Sequence, residues 1–179
     1  MPGQLHHLEL RWRDYGAEEE PDVQILIDGR DFIDIVHDWE LNVARAAGEP
    51  TLAGAYSGIP KRFARELPSA WLGMQEPNNL LSCWGDGFAL LACTCGELGC
   101  WPLLARVEVT DHEVRWLDFE QPRRTARRDE EVTSPGRPPR DRARVWSYEG
   151  FGPFVFDRAA YTSAIDHLIR TTTGELSED

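Results

Sequence analysis

The chain has 179 residues and a formal net charge of −12 at pH 7, and 41% of its residues are hydrophobic. A chain of this length can bury about 70% of its unfolded surface in one domain, so this composition favours a folded core over a disordered chain. The acidic balance argues against a nucleic-acid partner, because phosphate binding needs a positively charged surface.

The first fifty residues predict a strand, a hairpin and a helix, in that order. Residues 5–13 alternate between apolar and polar side chains, which is typical of a strand. Residues 23–27 and 30–36 flank an Asp-Gly pair, a strong signal for a two-residue β-hairpin turn. Residues 37–47 then show helical spacing, and Gly48 follows as a helix stop.

The middle of the chain predicts an irregular connection followed by a sheet. Residues 51–79 are rich in Gly and Pro and show no sustained period, apart from a helical turn at residues 61–67. Four short strands follow and predict an antiparallel meander. These strands are residues 80–84, 88–95, 100–109 and 113–119.

The last third predicts a charged loop, two short strands and a helix. Residues 121–144 combine mixed charge with several prolines, which indicates a flexible loop. Strands are predicted at residues 145–148 and 154–156, and a helix at residues 158–172 with the preceding aspartate as its N-cap. Residues 1–179 therefore predict a single α+β domain, with a mainly antiparallel sheet and two principal helices.

The amino-terminal residues and the hydropathy bear on the compartment. Residues 1–7 contain neither the basic nor the apolar region of a secretory signal. No run approaches the roughly 18 apolar residues of a membrane span. We therefore expect a cytoplasmic protein with no membrane partner, in which thiols stay reduced.

Three of the four cysteines lie within eight residues, in the sequence Cys-Thr-Cys-Gly-Glu-Leu-Gly-Cys that ends at Cys100. The Gly-Glu-Leu-Gly stretch is a typical four-residue hairpin connection. In such a hairpin Cys95 lies opposite Cys100, with Cβ atoms roughly 4.5–5.5 Å apart, and Cys93 projects from the same face as Cys95. We therefore expect the three sulfur atoms to gather on one side of the hairpin tip.

This arrangement of thiols indicates a zinc site. Tetrahedral Zn²⁺ binds thiolates at about 2.3 Å, which three neighbouring cysteines can satisfy. The fourth cysteine, Cys83, is expected roughly 13 Å from Cys93 along the strand direction, so His112, Glu97, His37 or a water would complete the site. The spacing lacks the paired Cys-x2-Cys of well-marked zinc sites.

Two other interpretations of the cysteines stay open. They can be small buried hydrophobic residues packed near a tight turn. One of them can also be a redox or catalytic thiol, although no Lys or Arg adjoins the loop in sequence to lower a thiol pKa. A disulfide between Cys95 and Cys100 is sterically feasible, but a reducing compartment disfavours it.

Three further segments are candidate sites. His37, Asp38 and Glu40 are close in sequence and could bind a metal or perform acid–base chemistry. Side chains one or two residues apart on a helix diverge, so Asp38 is better explained as a helix cap or dipole partner. The aromatic residues at 146–154 favour a core strand over a ligand pocket, and residues 56–60 are a candidate lid or binding loop.

Charge clusters and catalytic motifs add little. The eight arginines between Arg123 and Arg144 could form a basic patch for an acidic partner, but interspersed acidic residues and prolines favour a solvated loop. The sequence contains no nucleophile elbow, phosphate-binding loop, dinucleotide fingerprint or His-Glu-x-x-His pair. Several well-marked enzyme classes are thereby excluded.

The cysteine turn also carries a resemblance. Residues 90–103, with the Val-Arg-Trp at 114–116 and the Phe-Gly-Pro-Phe-Val-Phe-Asp at 151–157, resemble a loose group of uncharacterised bacterial proteins. That group shares a Cys-Gly-[Glu/Asp]-x-Gly-Cys turn followed by a strand hairpin with Val-x-Trp. The resemblance covers roughly residues 80–161. It implies a bacterial cytosolic origin and carries no catalytic or binding residues over to this chain.

These patterns predict a small acidic binding or interaction module with a structural zinc ion at the cysteine hairpin and a protein partner. Its metal ligands would be Cys93, Cys95 and Cys100. The alternative is an enzyme that uses a cysteine or His37 in a cleft between residues 51–79 and the hairpin. A third hypothesis, an immunity- or antitoxin-like partner, rests only on small size and acidity.

Overall fold

Two antiparallel sheets and three α-helices make up the computed structural model, which describes residues 4–82, 85–124 and 146–174. The strands are β1 (Leu8–Arg13), β2 (Asp22–Ile27), β3 (Arg30–Asp31), β4 (Tyr56–Ser57), β5 (Phe88–Cys93), β6 (Leu103–Val109), β7 (Glu113–Glu120) and β8 (Phe154–Asp157). The helices are α1 (Phe32–Ala46), α2 (Leu67–Trp71) and α3 (Arg158–Gly174). The predicted α+β class with a mainly antiparallel sheet is confirmed.

The strands are ordered β1-β2-β3 in one sheet and β4-β5-β6-β7-β8 in the other. The three-stranded sheet contacts the five-stranded sheet near both of its edge strands, β8 and β4. The His6 N–H donates to the Val155 carbonyl at 2.7 Å, which joins the start of β1 to β8. The Val23 N–H donates to the Ile59 carbonyl at 3.0 Å, which joins β2 to the residues after β4. The two sheets therefore share one hydrophobic core.

Aromatic residues fill that core and hydrogen-bond to one another. Trp116 of β7 donates its indole N–H to the Tyr161 hydroxyl of α3 at 3.0 Å, and Tyr161 donates to the Trp71 carbonyl of α2 at 2.9 Å. Trp71 donates its own indole N–H to the Ala89 carbonyl of β5 at 3.0 Å. These bonds satisfy buried polar hydrogens and hold both helices on the sheet.

The Asp-Gly turn of the first predicted hairpin is confirmed, but its second strand is not. Asp28 and Gly29 both have positive φ, 51° and 79°, as a type I′ turn requires, and Ile27 pairs with Arg30. β3 then ends after two residues, so the strand predicted over residues 30–36 is wrong.

Helix α1 takes the place of the rest of that strand. The Asp31 carboxylate accepts a hydrogen bond from the Ile33 N–H at 2.9 Å and caps the helix, which starts at Phe32 instead of residue 37. The apolar residues of the predicted strand therefore belong to the first turns of a helix. Its buried residues are spaced four apart: Phe32, Val36, Glu40 and Ala44.

The predicted meander exists with a different fourth strand. β5, β6 and β7 match three of the four predicted strands, although β5 stops at Cys93 and β6 starts only at Leu103. The strand predicted over residues 80–84 is wrong where the structure describes it, because the Asn79 side chain accepts the Leu81 N–H at 2.9 Å and forms a local turn. β8 completes the meander by pairing with β7.

The long connection over residues 51–79 is mostly irregular, as predicted, but it contributes two elements. The strand β4 adds to the edge of the five-stranded sheet, and α2 packs the buried Trp71 against β5. Within the helical turn predicted over residues 61–67, the structure has a 3-10 turn at Lys61–Phe63. Helix α2 starts at the last residue of that predicted range.

The carboxy-terminal third is partly as predicted. α3 begins directly after Asp157, whose carboxylate accepts the Ala160 N–H at 2.9 Å, so the predicted N-cap is confirmed. Residues 146–148 form no strand, contrary to the prediction. The Ser147 carbonyl instead accepts the Trp39 indole N–H at 3.1 Å, which ties this segment to α1.

Most of the charged loop predicted over residues 121–144, and with it the proposed basic patch, lies outside the described residues. The described start of this loop is a tight turn, in which the Arg124 N–H donates to the Gln121 carbonyl at 2.9 Å. None of the described helices is both long and apolar enough to cross a membrane.

Candidate metal centre

The turn that carries the cysteines connects β5 to β6. Cys93 is the last residue of β5, whereas Cys95 and Cys100 lie in the turn itself. Because β6 starts only at Leu103, Cys95 and Cys100 are not the cross-strand pair that a four-residue hairpin would produce. The prediction of that pairing is wrong, and another feature must bring the sulfur atoms together.

Two consecutive tight turns do so. The Cys93 carbonyl accepts the Gly96 N–H at 2.8 Å, and the Glu97 carbonyl accepts the Cys100 N–H at 3.3 Å. Gly96 has φ +81°, a conformation that glycine adopts without strain. Leu98 lies between the two cysteine-bearing ends, and its buried side chain anchors the turn to the core.

The three thiols lie together, as expected. The Sγ atoms of Cys93, Cys95 and Cys100 lie within 4.8 Å of one another, and all three thiols are free. Cys93 is half-buried and the other two are exposed, so the group opens toward solvent. Zinc at about 2.3 Å from each sulfur requires sulfur atoms about 3.8 Å apart. Small movements of the two exposed side chains are enough to reach that geometry.

Hydrogen bonds among the thiols change their pKa values. Burial opposes ionisation of Cys93, but hydrogen bonds from the Cys95 backbone and from the Cys95 and Cys100 thiols outweigh it and lower the pKa of Cys93. Hydrogen bonding with Cys93, and to a smaller extent with Cys95, raises the pKa of the Cys100 thiol to about 11. Cys93 therefore ionises before Cys100, and a metal that binds all three must displace the remaining protons.

Two arginines from distant parts of the chain hold the turn. Arg62 donates from Nη2 to the Gly96 carbonyl at 2.6 Å, and Arg123 donates from Nη2 to the Gly99 carbonyl at 2.9 Å. Both side chains thereby fix the backbone of the turn through its carbonyl oxygens. Sequence inspection missed them, because contacts across 34 and 24 residues leave no local signal.

The strand β4 holds Cys93 from its other side. Tyr56 pairs with Cys93, and the Ser57 hydroxyl donates to the Cys93 carbonyl at 2.7 Å. Gly58 then approaches β2 so closely that a Cβ there would lie 2.0 Å from the Val23 carbonyl oxygen. Residues 56–60, predicted as a candidate lid or binding loop, thus support the cysteine turn.

Within the part of the chain that the structure describes, no histidine, carboxylate or further cysteine joins the three sulfur atoms. His112 lies in the β6–β7 turn, at the opposite end of β6 and roughly 20 Å away by strand length. The other two predicted candidates have different neighbours: the Glu97 carboxylate lies 3.8 Å from Arg62 Nη2, and His37 Nδ1 lies 3.4 Å from the Asp38 carboxylate. Cys83 lies outside the described residues.

An open groove of about 540 Å³ adjoins the cysteine turn. Three segments line it: the cysteine turn at Thr94, Cys95 and Gly96, the long connection with Arg62, and residues 15–22 between β1 and the start of β2. It lies where the sequence predicted a cleft between residues 51–79 and the hairpin. His37 does not line this groove and packs against Gly54 instead.

The predicted His37-Asp38-Glu40 group is dispersed by the helix that carries it. Asp38 pairs with Arg30 at 2.9 Å on the surface, and this pair lowers the pKa of Asp38. The prediction of Asp38 as the helix cap is wrong, because Asp31 takes that position. Glu40 points the other way, into the core.

Glu40 is a buried carboxyl that ties three parts of the protein together. It accepts hydrogen bonds from the Gly54 N–H and the Tyr56 hydroxyl, both at 2.7 Å, and from the Tyr148 hydroxyl at 2.5 Å. Burial raises the pKa of Glu40, and these three donors oppose that rise. Sequence inspection could have found it, because it falls on the apolar face of α1 four residues after Val36.

The aromatic segment at residues 146–154 belongs to the core, as the sequence favoured. Trp146, Tyr148 and Phe151 are buried, and the Phe151 ring lies 4.8 Å from the ring of Phe119, centroid to centroid. These aromatic pairs stabilise the packing of the segment against β7.

Comparisons with known proteins bring no relative to the site: no family model, no curated protein and no solved structure matches the chain. Three neighbouring thiols, two arginines on their turn and an adjoining groove are the features that bear on function.

Proposed function

We propose that this protein is a small acidic interaction module in which Cys93, Cys95 and Cys100 hold a zinc ion. The observation that carries the proposal is the mutual approach of the three Sγ atoms within 4.8 Å. Thiolates are preferred zinc ligands. Zn²⁺ with three thiolates has one net negative charge. Arg62 and Arg123 hold the turn that bears these ligands by hydrogen bonds to the Gly96 and Gly99 carbonyls.

The role of the zinc ion in this proposal is to fix the turn. Two of its three ligands are exposed and lie outside the strands, where they make few packing contacts. A metal that cross-links them to the end of β5 adds stability that the core does not supply there. The acidic surface and the groove beside the turn support a protein partner in preference to a nucleic acid.

Substituting Cys95 by Ser tests the metal site. A zinc chelator should lower the melting temperature of the wild-type protein, because metal binding contributes to folding free energy. Cys95→Ser should melt at the lower temperature with or without the chelator. Thr94→Ser is the matched control, since Thr94 is exposed in the same turn and bears no sulfur; it should respond like the wild type.

The same melting experiment can contradict the proposal. The wild-type melting temperature could stay the same with added zinc and with chelator, and Cys95→Ser could lower it equally in both buffers. Those two results together would leave only a packing role for the thiols.

A second candidate function, an enzyme with a cysteine nucleophile, is favoured by one observation: Cys95 lines the groove. A nucleophilic cysteine needs a neighbouring base, and no histidine of the described residues hydrogen-bonds a cysteine. Alkylation kinetics distinguish the two functions. One thiol that reacts far faster than a free cysteine, with or without chelator, supports the enzyme; slow alkylation that a chelator accelerates supports the metal site.

A further inference from the structure

A zinc ion held by the three cysteines has a fourth coordination position, and the inference about its ligand rests on the proposed function. Zinc takes four ligands in a tetrahedral site, whereas three sulfur atoms form the whole donor group among the described residues. Cys95 is exposed and lines the groove beside the turn. We infer that the fourth position faces this groove and takes an exchangeable donor from outside the chain.

The residues next to Cys95 leave this position accessible. Thr94 is exposed, and Gly96 has no side chain to cover the metal. Gly96 has φ +81°, a backbone conformation that residues with a side chain rarely adopt. The groove, at about 540 Å³, is large enough to admit a side chain from a partner.

The charge of the groove selects the kind of donor. The carboxylates of Glu19, Glu20 and Asp22 line it together with the guanidinium of Arg62. Glu20 pairs with Arg62 and Asp22 with Arg13, so Glu19 contributes most of the negative charge that the lining adds. Zinc with three thiolates is already negative, so a further anionic ligand meets repulsion from the metal site and from Glu19. A neutral nitrogen donor does not. The external ligand is therefore an imidazole, the side chain of a partner's histidine.

Cobalt substitution followed by an imidazole titration tests this inference. Co²⁺ replaces zinc in tetrahedral sites and absorbs visible light in a manner that depends on its ligands. The metal-free protein is loaded with one equivalent of Co²⁺, and imidazole is then added at constant pH. We expect the visible spectrum to change with a saturable, single-site dependence on imidazole, because imidazole replaces a bound water.

Three outcomes separate the inference from the proposed function. Failure of Co²⁺ to bind overturns both. Cobalt binding with a spectrum that ignores imidazole overturns the external ligand and leaves the metal site in place. A response that appears only after Cys83→Ser or Glu97→Gln assigns the fourth position to that residue and overturns the inference; we expect both variants to respond like the wild type.

Azide provides the charge control. It should bind the cobalt protein more weakly than imidazole does, because it is anionic. Glu19→Gln removes an exposed carboxylate of the groove and should raise azide affinity about two- to five-fold, the size of a screened surface charge interaction, while imidazole affinity stays unchanged. Equal effects of Glu19→Gln on both ligands would contradict the role given to the groove.

Discussion

Glu40 shows how one residue links the core to the cysteine turn. A buried carboxyl group is costly unless donors surround it, and Glu40 has three of them. One donor is Tyr56, which pairs with Cys93 across β4 and β5. Through Tyr56, the Glu40 carboxyl therefore connects α1 to the strand pair that holds Cys93, the first of the three proposed metal ligands.

The pH dependence of stability should follow the pKa of Glu40. Burial raises that pKa, so the folded protein holds the proton more tightly than the unfolded chain does. As pH rises from the unfolded pKa through the folded one, the unfolded chain ionises first, and the stability that this carboxyl contributes is lost. Glu40→Gln cannot ionise, and it can offer its carbonyl to Gly54 and its amide to the two tyrosine hydroxyls.

We therefore expect the free energy of unfolding of Glu40→Gln, minus that of the wild type, to increase with pH across this window, by at most about 1.4 kcal/mol per pH unit. Urea denaturation at several pH values measures it. Glu149→Gln, which removes an exposed carboxyl, should show no such trend. A difference that decreases with pH would mean that the three donors outweigh burial.

The cysteine turn depends on an edge strand of only two residues. β4 reaches the Cys93 carbonyl through Ser57, and the residue after it, Gly58, fixes β4 against β2. The buried Asp22 carboxylate accepts the Gly58 N–H at 2.8 Å and closes this contact. The turn is thus supported by elements from both sheets.

Gly58→Ala should disturb this support. Its Cβ would lie 2.0 Å from the Val23 carbonyl oxygen, so the backbone must shift. We expect a loss of about 1–3 kcal/mol in the free energy of unfolding and weaker zinc binding, measured by urea denaturation and by competition with a zinc indicator. Gly99→Ala is the control, since a Cβ there meets nothing within 4 Å. A Gly58→Ala protein as stable as the wild type would contradict this account of β4.

Local signals predicted some elements and failed for others. The Asp-Gly turn and the Asp157 cap were predictable, because a few neighbouring residues determine each of them. The start of α1 was not, because the apolar residues between Phe32 and Val36 fit a short strand as well as a helical turn. β4 was missed because two residues show no periodicity.

At the scale of the whole molecule, the two sheets bring distant segments to one site. Arg62 pairs with Glu20 and also donates to the Gly96 carbonyl, and Arg123 reaches the same turn from the end of β7. The spacing of the cysteines predicted which thiols come together. The two tight turns are local, but the arginines and the groove depend on how both sheets bring distant segments together, which no local pattern encodes.

The metal content of the protein as purified, without a polyhistidine tag and without added metal, tests the central claim most directly. Elemental analysis by mass spectrometry should find about one zinc per chain, with little metal in Cys95→Ser or Cys100→Ser and the full amount in Thr94→Ser. A folded wild-type protein that contains no metal and takes up none from a zinc solution would contradict the metal site.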